Sequence, residues 1–276
     1  MKIKAVLMDM DGTLLGKSQV AVSTRNMTAI QQAIAKGVHV IPCTGRVYNM
    51  LPPQLLTQEG LRYFVTSHGA RVYDKVRNVS IYEDLIPAER SAALMKILEG
   101  KGLYNEIAAD GTIYFEKSVT EPFDMSVVPV HHIWYVQDNC YTAVEKPSEH
   151  FLANNVGVEK MNIYAIPTEL QQPIYDELTA SGFIKHTRPG AGTNLEFANY
   201  TLDKIKATDA VLKELGISYE ETMAIGDSSS DLEIIKACGV GVAMGNAPDY
   251  IKAAANDVTG INTADGLADA FEKYVL

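Results

Sequence analysis

The sequence is short of positive charge, of cysteine and of long apolar runs. Its 276 residues contain 24 Lys and Arg against 34 Asp and Glu, a formal net charge of −10. Because counterion release rewards basic surfaces, this balance argues against a nucleic-acid or anionic-membrane partner. The three cysteines, Cys43, Cys140 and Cys238, are widely spaced without a CxxC pair, which argues against disulfides and predicts a reducing, cytoplasmic location. No apolar run approaches membrane-spanning length.

The apolar residues that are present follow an alternating strand and helix pattern. The continuous apolar segment Ala5–Met8 predicts a strand buried on both faces of a parallel sheet. Ser23 predicts a helix N-cap and Gly37 a left-handed helix end, and the next strand follows directly. This pattern returns late in the chain. The expected fold class is therefore α/β, with a doubly wound, Rossmann-like parallel sheet.

The middle of the chain has a different texture, with mixed apolar and polar strands such as the one predicted over His131–Val136. This texture predicts an inserted α+β domain over residues 83–188. The core domain is expected to consist of residues 1–82 and 189–276. The segment Pro189–Gly192 on the return has the composition of a hinge, or equally of a plain surface loop.

Two carboxylates, Asp9 and Asp11, directly follow the first predicted strand. Ligands bind at the carboxyl ends of strands in such sheets, and extended geometry places residues i and i+2 on the same side. Two neighbouring carboxylates repel each other, and a bound cation relieves the repulsion. Taken alone, an Asp-x-Asp segment followed by Gly12 is more often a simple turn.

Further polar segments also follow buried apolar runs. Thr44, Gly45 and Arg46 provide a hydroxyl, a flexible backbone and a guanidinium that are able to hold phosphate oxygens, or else they begin a helix. Asp227 follows a later apolar run, and with Asp9 it would supply the carboxylate oxygens that Mg²⁺ favours. Together these segments lower the weight of the turn interpretation.

Asp231 and Lys204 each have an alternative structural explanation. Asp231 is a candidate site carboxylate, or a helix-start charge beside a capping box of Ser230 and Glu233. Lys204 lies at a predicted helix start, where the macrodipole disfavours a cation unless an anion is near. It is otherwise a solvated surface lysine, and Lys206 competes with it for the same role.

In this order, the segments resemble the haloacid dehalogenase superfamily of phosphohydrolases. The matching segments are Asp9–Thr13, Thr44–Arg46, Lys204, Gly226–Asp231 and Ala243–Ala247. The insertion resembles the large cap, type C2, of the Cof-like subgroup. The resemblance implies a Mg²⁺-dependent phosphatase of a small phosphorylated metabolite, a sugar phosphate or a phosphorylated cofactor, with a cap that sets specificity.

The resemblance also implies residue roles. Asp9 would be the nucleophile that takes the phosphoryl group, Asp11 the general acid and base, and Thr44 with Lys204 would hold the transferring oxygens. Mg²⁺ would be bound by Asp9, the Asp11 carbonyl and Asp227, with Asp231 as an outer or water-mediated ligand. Substrate contacts are expected from Gly12, Gly45, Arg46 and Asn246, although Asn246 is equally a candidate helix cap.

The chain departs from the family pattern at Ser230 and His68, both positions where asparagine is usual. His131 and His132, as neighbours on a predicted strand, would face opposite ways and form no metal site. The competing functions are a phosphomutase acting on sugar phosphates and a non-catalytic phosphoacceptor or sugar-phosphate sensor. The protein is expected to act on a small phosphate ester as a monomer or homodimer.

Overall fold

In a computed structural model of the chain, residues 2–17, 19–187 and 190–276 are described. The proposed hinge residue Pro189 therefore lies outside the described residues. The chain divides into two compact units. The first is formed by Met1–Arg46, Leu51–Glu83 and Asp203–Leu276, and the second by Val47–Met50 and Asp84–Leu202.

The described residues form short strands and helices. The strands are β1 (Ala5–Met8), β2 (His39–Pro42), β3 (Tyr63–Thr66), β4 (Arg71–Asp74), β5 (Val79–Glu83), β6 (Tyr104–Ala109), β7 (Thr112–Glu116), β8 (Thr142–Val144), β9 (Lys160–Tyr164), β10 (Ile184–His186), β11 (Leu195–Asn199), β12 (Thr222–Gly226), β13 (Val240–Ala243) and β14 (Asp257–Val258). The helices are α1 (Thr24–Ala35), α2 (Pro53–Thr57), α3 (Ala88–Leu98), α4 (Ile133–Gln137), α5 (Pro147–Ala153), α6 (Thr168–Ala180), α7 (Lys204–Leu215), α8 (Leu232–Ala237), α9 (Asp249–Ala254) and α10 (Gly266–Tyr274). None of the helices in these ranges has the length and apolar character needed to cross a membrane.

The first unit contains a parallel sheet with strand order β14-β13-β12-β1-β2. Its interior strand β1, between β12 and β2, is completely buried, as its apolar sequence predicts. From β1 the chain moves to β2 on one side, whereas from β12 it moves through β13 to β14 on the other. The direction reverses between β1 and β12, and such a reversal opens a crevice at the carboxyl ends of the strands. The predicted α/β class is confirmed.

The ends of helix α1 also agree with the sequence. The Ser23 hydroxyl accepts a hydrogen bond from the Asn26 backbone N–H at 3.1 Å, and Gly37 has a φ of +79°. The predicted third strand, β3, is present but pairs differently. It forms an antiparallel sheet with β4 and β5, and an isolated parallel bridge between Cys43 and Val65 joins it to the end of β2.

The second unit is built on a six-stranded sheet of order β10-β11-β9-β6-β7-β8. Its bounds differ from those expected. Residues 195–199 form β11, which pairs antiparallel with β9, so the insertion continues to Leu202 and the chain returns at Asp203 rather than at residue 189. Val47–Met50 also belongs to this unit, where the Asn49 N–H donates to the Gly111 carbonyl at 2.8 Å.

The prediction of a strand over His131–Val136 is wrong. Val130–His132 form a 3₁₀ turn that leads into helix α4. The consecutive residues Tyr135 and Val136 are both buried in an aromatic-rich cluster, which a strand with alternating faces does not achieve. The Tyr135 hydroxyl lies 2.9 Å from the Thr112 hydroxyl and also accepts from the Ile113 N–H, which anchors the helix to β7.

Candidate active site

The candidate site lies at the reversal point of the parallel sheet, after strands β1 and β12. Asp9 follows β1, and its backbone N–H donates to the Ile225 carbonyl of β12 at 2.9 Å. Asp227 directly follows β12, and Asp231 precedes helix α8. One carboxylate oxygen from each of these three aspartates lies within 4.8 Å of the others. Residues more than two hundred positions apart are therefore brought together, as the motifs predicted.

The three carboxylates lie close enough together to oppose one another's negative charge. Burial, the neighbouring Asp231 carboxylate and the Asp227 carboxylate raise the pKa of Asp9 well above its ordinary value, while the Lys204 ammonium opposes the rise. Burial is also the main reason that the pKa of Asp227 is raised to about 6. A divalent cation would relieve this repulsion, and clustered carboxylate oxygens are donors that suit Mg²⁺.

Lys204 is held beside this group by the start of helix α7. Asp203 caps the helix by accepting from the Ile205 N–H at 2.9 Å, so Lys204 is the first helical residue. The Lys204 Nζ lies 2.6 Å from Asp231 Oδ1, and both side chains are buried. Burial alone would lower the pKa of Lys204, but the Asp231 and Asp9 carboxylates outweigh it and raise the pKa. The anion that the macrodipole argument requires near Lys204 is therefore present, as the Asp231 carboxylate. Lys206, by contrast, is exposed.

Asp231 is not the helix-start charge of a capping box. It precedes helix α8 without a side-chain cap, and the Ser230 hydroxyl lies 2.9 Å from the Ser228 hydroxyl instead of capping the helix. Asp231 Oδ2 accepts from the Ser228 N–H at 3.1 Å and the Ser228 hydroxyl at 2.9 Å, while Oδ1 is bonded to Lys204. Because the Lys204 ammonium already pairs with Oδ1, Asp231 suits an outer position around a cation better than a direct one.

Arg46 and Asp11 are paired with each other. The Arg46 Nε donates to Asp11 Oδ2 at 2.8 Å, and Nη2 donates to the other carboxylate oxygen and to the Gln19 carbonyl. The Arg46 side chain is only 6% exposed. Its backbone N–H also donates to the Thr44 hydroxyl at 3.1 Å. Sequence reasoning expected this guanidinium on the substrate, and it missed the ion pair.

The Thr44–Arg46 segment is packed against the loop after β3. The Thr44 N–H donates to the Val65 carbonyl at 2.8 Å, and the Thr44 carbonyl accepts from the His68 N–H at 3.0 Å. The imidazole of His68 lies over Gly45, where a Cβ would be 2.4 Å from the ring Cε1 atom. The sequence marked His68 as unusual, but nothing in it indicated this contact.

A model of the haloacid dehalogenase-like hydrolase family matches residues 6–271. The chain belongs to this family. It is 28% identical over 275 residues to the 5-amino-6-(5-phospho-D-ribitylamino)uracil phosphatase YcsE of Bacillus subtilis, covering 99% of this chain and 96% of that protein. The predicted family, fold class and enzyme class, a phosphatase of the haloacid dehalogenase superfamily, are confirmed.

Solved structures of haloacid dehalogenase-like proteins are similar over the full length. A haloacid dehalogenase-like hydrolase from Bacteroides thetaiotaomicron has a TM-score of 0.83 at 26% identity and covers 99% of both chains. The subclass IIB sugar phosphatase BT4131 has a TM-score of 0.75 at 25% identity and covers 98% of both chains.

Two further motif residues of this haloacid dehalogenase-like chain support Asp227. Gly12 has a φ of +84°, and a Cβ there would lie 2.3 Å from Asp227 Oδ2, so only glycine fits. The Asn246 Nδ2 donates to the Gly12 carbonyl at 2.8 Å and to Asp227 Oδ2 at 3.4 Å. Asn246 does not cap helix α9, which is preceded by Pro248. The Thr13 hydroxyl donates to Asp227 Oδ1 at 3.1 Å, a support that sequence reasoning did not identify.

Proposed function

We propose that the protein hydrolyses a small phosphorylated metabolite in a Mg²⁺-dependent reaction that passes through an aspartyl-phosphate on Asp9. The observation that carries the proposal is the convergence of the Asp9 and Asp227 carboxylates at neighbouring strand ends, with atoms within 4.8 Å. The buried ammonium of Lys204 lies beside them, bonded to Asp231. A carboxylate nucleophile, a cation and a fixed ammonium are the parts that phosphoryl transfer requires.

The protein residues would divide the chemistry between them. Asp9 attacks phosphorus, forming an acyl phosphate as the ester oxygen leaves with a proton from Asp11. Asp11 then takes a proton from water, which attacks phosphorus, frees Asp9 and releases inorganic phosphate. Thr44 and Lys204 would hold the phosphoryl oxygens, and backbone N–H groups near Gly12 would add hydrogen bonds.

The carboxylates of Asp9 and Asp227 and the backbone carbonyl of Asp11 would hold Mg²⁺, with Asp231 in the outer position. When bound, the ion would supply positive charge that offsets the charge of the phosphoryl group. The cluster of three carboxylates supports Mg²⁺ as the bound ion, because hard oxygen donors suit Mg²⁺. The support for Asp227 from Thr13 and Asn246 is consistent with a ligand that needs a fixed orientation.

The proposed substrate class is a sugar phosphate or a phosphorylated cofactor or its precursor. One relative is named for a ribitylamino-uracil phosphate and one structural neighbour for sugar phosphates. The net charge of −10 supports a small-molecule substrate over a nucleic acid. The free thiols of Cys43, Cys140 and Cys238 support the proposal of a cytoplasmic enzyme. We propose that it acts as a monomer or homodimer.

The test is catalytic release of inorganic phosphate from a panel of phosphorylated sugars, alditols and cofactors, with and without Mg²⁺. We expect many turnovers with Mg²⁺, little with EDTA, and none for Asp9→Asn. The matched control is Asp249→Asn, an exposed aspartate on helix α9, which is expected to keep wild-type turnover. One phosphoryl group taken up per protein without turnover would indicate a sensor, and transfer within a sugar would indicate a mutase.

The covalent intermediate has its own test. Because Asp11 is the proposed base for the second step, Asp11→Asn should retain a phosphoryl group on Asp9 after mixing with p-nitrophenyl phosphate, whose leaving group needs no proton from Asp11 in the first step. The label should be released by hydroxylamine, which cleaves acyl phosphates, and mass spectrometry should place it on the peptide that contains Asp9. Turnover by wild-type protein without any labelled Asp9 in the variant would argue for direct attack by water.

A further inference from the structure

Asn246 connects three loops of the first unit through one side-chain amide. Its Nδ2 donates to the Gly12 carbonyl at 2.8 Å and to Asp227 Oδ2 at 3.4 Å. Its Oδ1 accepts from the backbone N–H of Asn262 at 3.0 Å. The loops that follow β1, β12 and β14 are therefore joined at one residue, and the Asp227 carboxylate lies at the junction.

The orientation of Asp227 depends on donors outside its own loop. Thr13, in the loop after β1, donates to Asp227 Oδ1 at 3.1 Å, and Asn246 approaches the other oxygen. The hydroxyl groups next to Asp227 in sequence are used elsewhere. Ser228 donates to Asp231, and the Ser230 hydroxyl lies 2.9 Å from that of Ser228.

Gly12 shows how closely this junction is packed. A Cβ at Gly12 would lie 2.3 Å from Asp227 Oδ2, so the Gly12 backbone and the Asp227 carboxylate are in direct contact. Asn246 bonds both members of this contact. Asn262, whose backbone N–H bonds Asn246 on its other side, is itself anchored, because its side-chain Nδ2 donates to the Leu15 carbonyl at 2.8 Å.

We propose that Asn246 is a positioning residue for the metal-binding carboxylate of Asp227, rather than a residue that contacts the substrate. The inference rests on the proposed function for the assignment of Asp227 as a Mg²⁺ ligand, and it adds the residue that orients that ligand. Its physical basis is that a carboxylate held by hydrogen bonds meets the ion without first losing rotational freedom. Removal of such a supporting partner typically weakens metal binding by about 10–100-fold.

The experiment measures Mg²⁺ binding itself, by calorimetric titration of metal-free protein without substrate. We expect Asn246→Ala to weaken Mg²⁺ binding roughly 10-fold, at the lower end of that range because Thr13 remains. Asn256→Ala is the matched control, since Asn256 is also an exposed asparagine whose Oδ1 accepts from a backbone N–H, that of Gly241 at 2.7 Å, and it should bind Mg²⁺ with wild-type affinity. Asn246→Ser, whose hydroxyl is too short to reach Asp227, should repeat the loss if the alanine variant folds poorly.

A second measurement separates positioning from a general structural role. In EDTA, the thermal midpoint of unfolding of Asn246→Ala should be near that of wild type. A fixed Mg²⁺ concentration should raise this midpoint less in Asn246→Ala than in wild type. Wild-type Mg²⁺ affinity with a raised KM in Asn246→Ala would overturn the inference and indicate a substrate contact. An equal loss in Asn256→Ala would overturn it as well. If wild-type protein itself bound no Mg²⁺, the proposed function would fail first.

Discussion

Arg46 donates hydrogen bonds to both carboxylate oxygens of Asp11, through its Nε and Nη2 atoms. A planar guanidinium that bonds a carboxylate in this way restricts both its position and its rotation. Arg46 is itself held by the Gln19 carbonyl, and its backbone bonds the Thr44 hydroxyl. The proposed acid and base is therefore oriented by a residue that also contacts the proposed phosphate-binding hydroxyl.

Replacing Arg46 by lysine tests this pairing. Arg46→Lys keeps the positive charge but removes the fork, so Asp11 loses its fixed orientation. We expect kcat to fall roughly 10–100-fold, the scale of losses from misplaced catalytic groups. KM should remain within about 3-fold of wild type, since uniform substrate binding is not affected. Steady-state kinetics on the best substrate of the panel provide the measurement.

The control is Arg25→Lys, which alters an arginine that is paired with two separate surface carboxylates. Arg25 pairs with Asp269 and Glu272 on the surface. Arg25→Lys is therefore expected to leave both kcat and KM unchanged. If Arg46→Lys instead raised KM and left kcat intact, the guanidinium would be holding the substrate phosphate, as the sequence motif suggested.

Gly12 and Gly37 offer a matched pair of glycines. Both have positive φ, +84° and +79°, so alanine strains the backbone similarly at either position, by about 1 kcal/mol. Only at Gly12 does the added Cβ meet Asp227, whereas nothing lies within 4 Å of a Cβ at Gly37. Gly12→Ala should therefore reduce kcat and Mg²⁺ affinity together, while Gly37→Ala should lower only the unfolding midpoint. Equal activity in both variants would argue against a fixed position for Asp227.

The stability of the first unit should depend on the buried carboxylate of Asp74. Burial opposes its charge, but hydrogen bonds from Arg62 and Arg77 outweigh burial and hold the pKa of Asp74 below its ordinary value. The two arginines are 39% and 44% exposed, which weakens the pairing by solvent screening. At pH 7 we expect Asp74→Asn to lower the free energy of unfolding by about 2 kcal/mol, measured by urea denaturation.

The pH dependence of this effect has a definite sign. Because the pKa of Asp74 is depressed in the folded state, its stabilisation is present above the unfolded value, about 4, and is lost as pH falls further. The difference between wild type and Asp74→Asn should therefore shrink as pH falls below about 4. The control Asp257→Asn removes a pair with Lys273, a largely exposed partner, and should cost under about 1 kcal/mol. A difference that grows in acid would contradict the argument.

The sequence was most informative where chemistry follows a buried strand. Asp9 and Asp227 were predictable as neighbours because each follows a continuous apolar run, and parallel strands end at one edge of a sheet. The partners of the polar side chains were not predictable. Arg46 could equally have bound a phosphate and Asp11 a cation, so nothing in their residue types indicated that they pair with each other. Ser230 and Glu233 matched the local capping pattern, but the hydroxyl of Ser230 is used by Ser228.

The insertion was predicted less well for a related reason. Its strands are defined by pairing across long sequence separations, as between β9 and β11, and a local pattern does not reveal such a partner. The segment His131–Val136 contains bulky apolar and aromatic residues that fit a strand by composition. Its burial in the cluster with Phe115 favours a helix, which is a property of tertiary packing rather than of local sequence.

Lys204 and Lys206 differ in their surroundings, which decides between them as the phosphate-binding lysine. Lys204 is buried and bonded to Asp231, whereas Lys206 is exposed on the same helix, two residues on. Lys204→Met removes the charge but keeps the volume, and it leaves the Asp231 carboxylate buried without its cation. We therefore expect kcat to fall by at least about 100-fold, the scale seen when one fixed charge that stabilises a transition state is lost. Lys206→Met should stay within 2-fold of wild type, roughly the scatter of surface substitutions. A comparable loss in both variants would mean that the helix, rather than the Lys204 ammonium, is what the reaction requires.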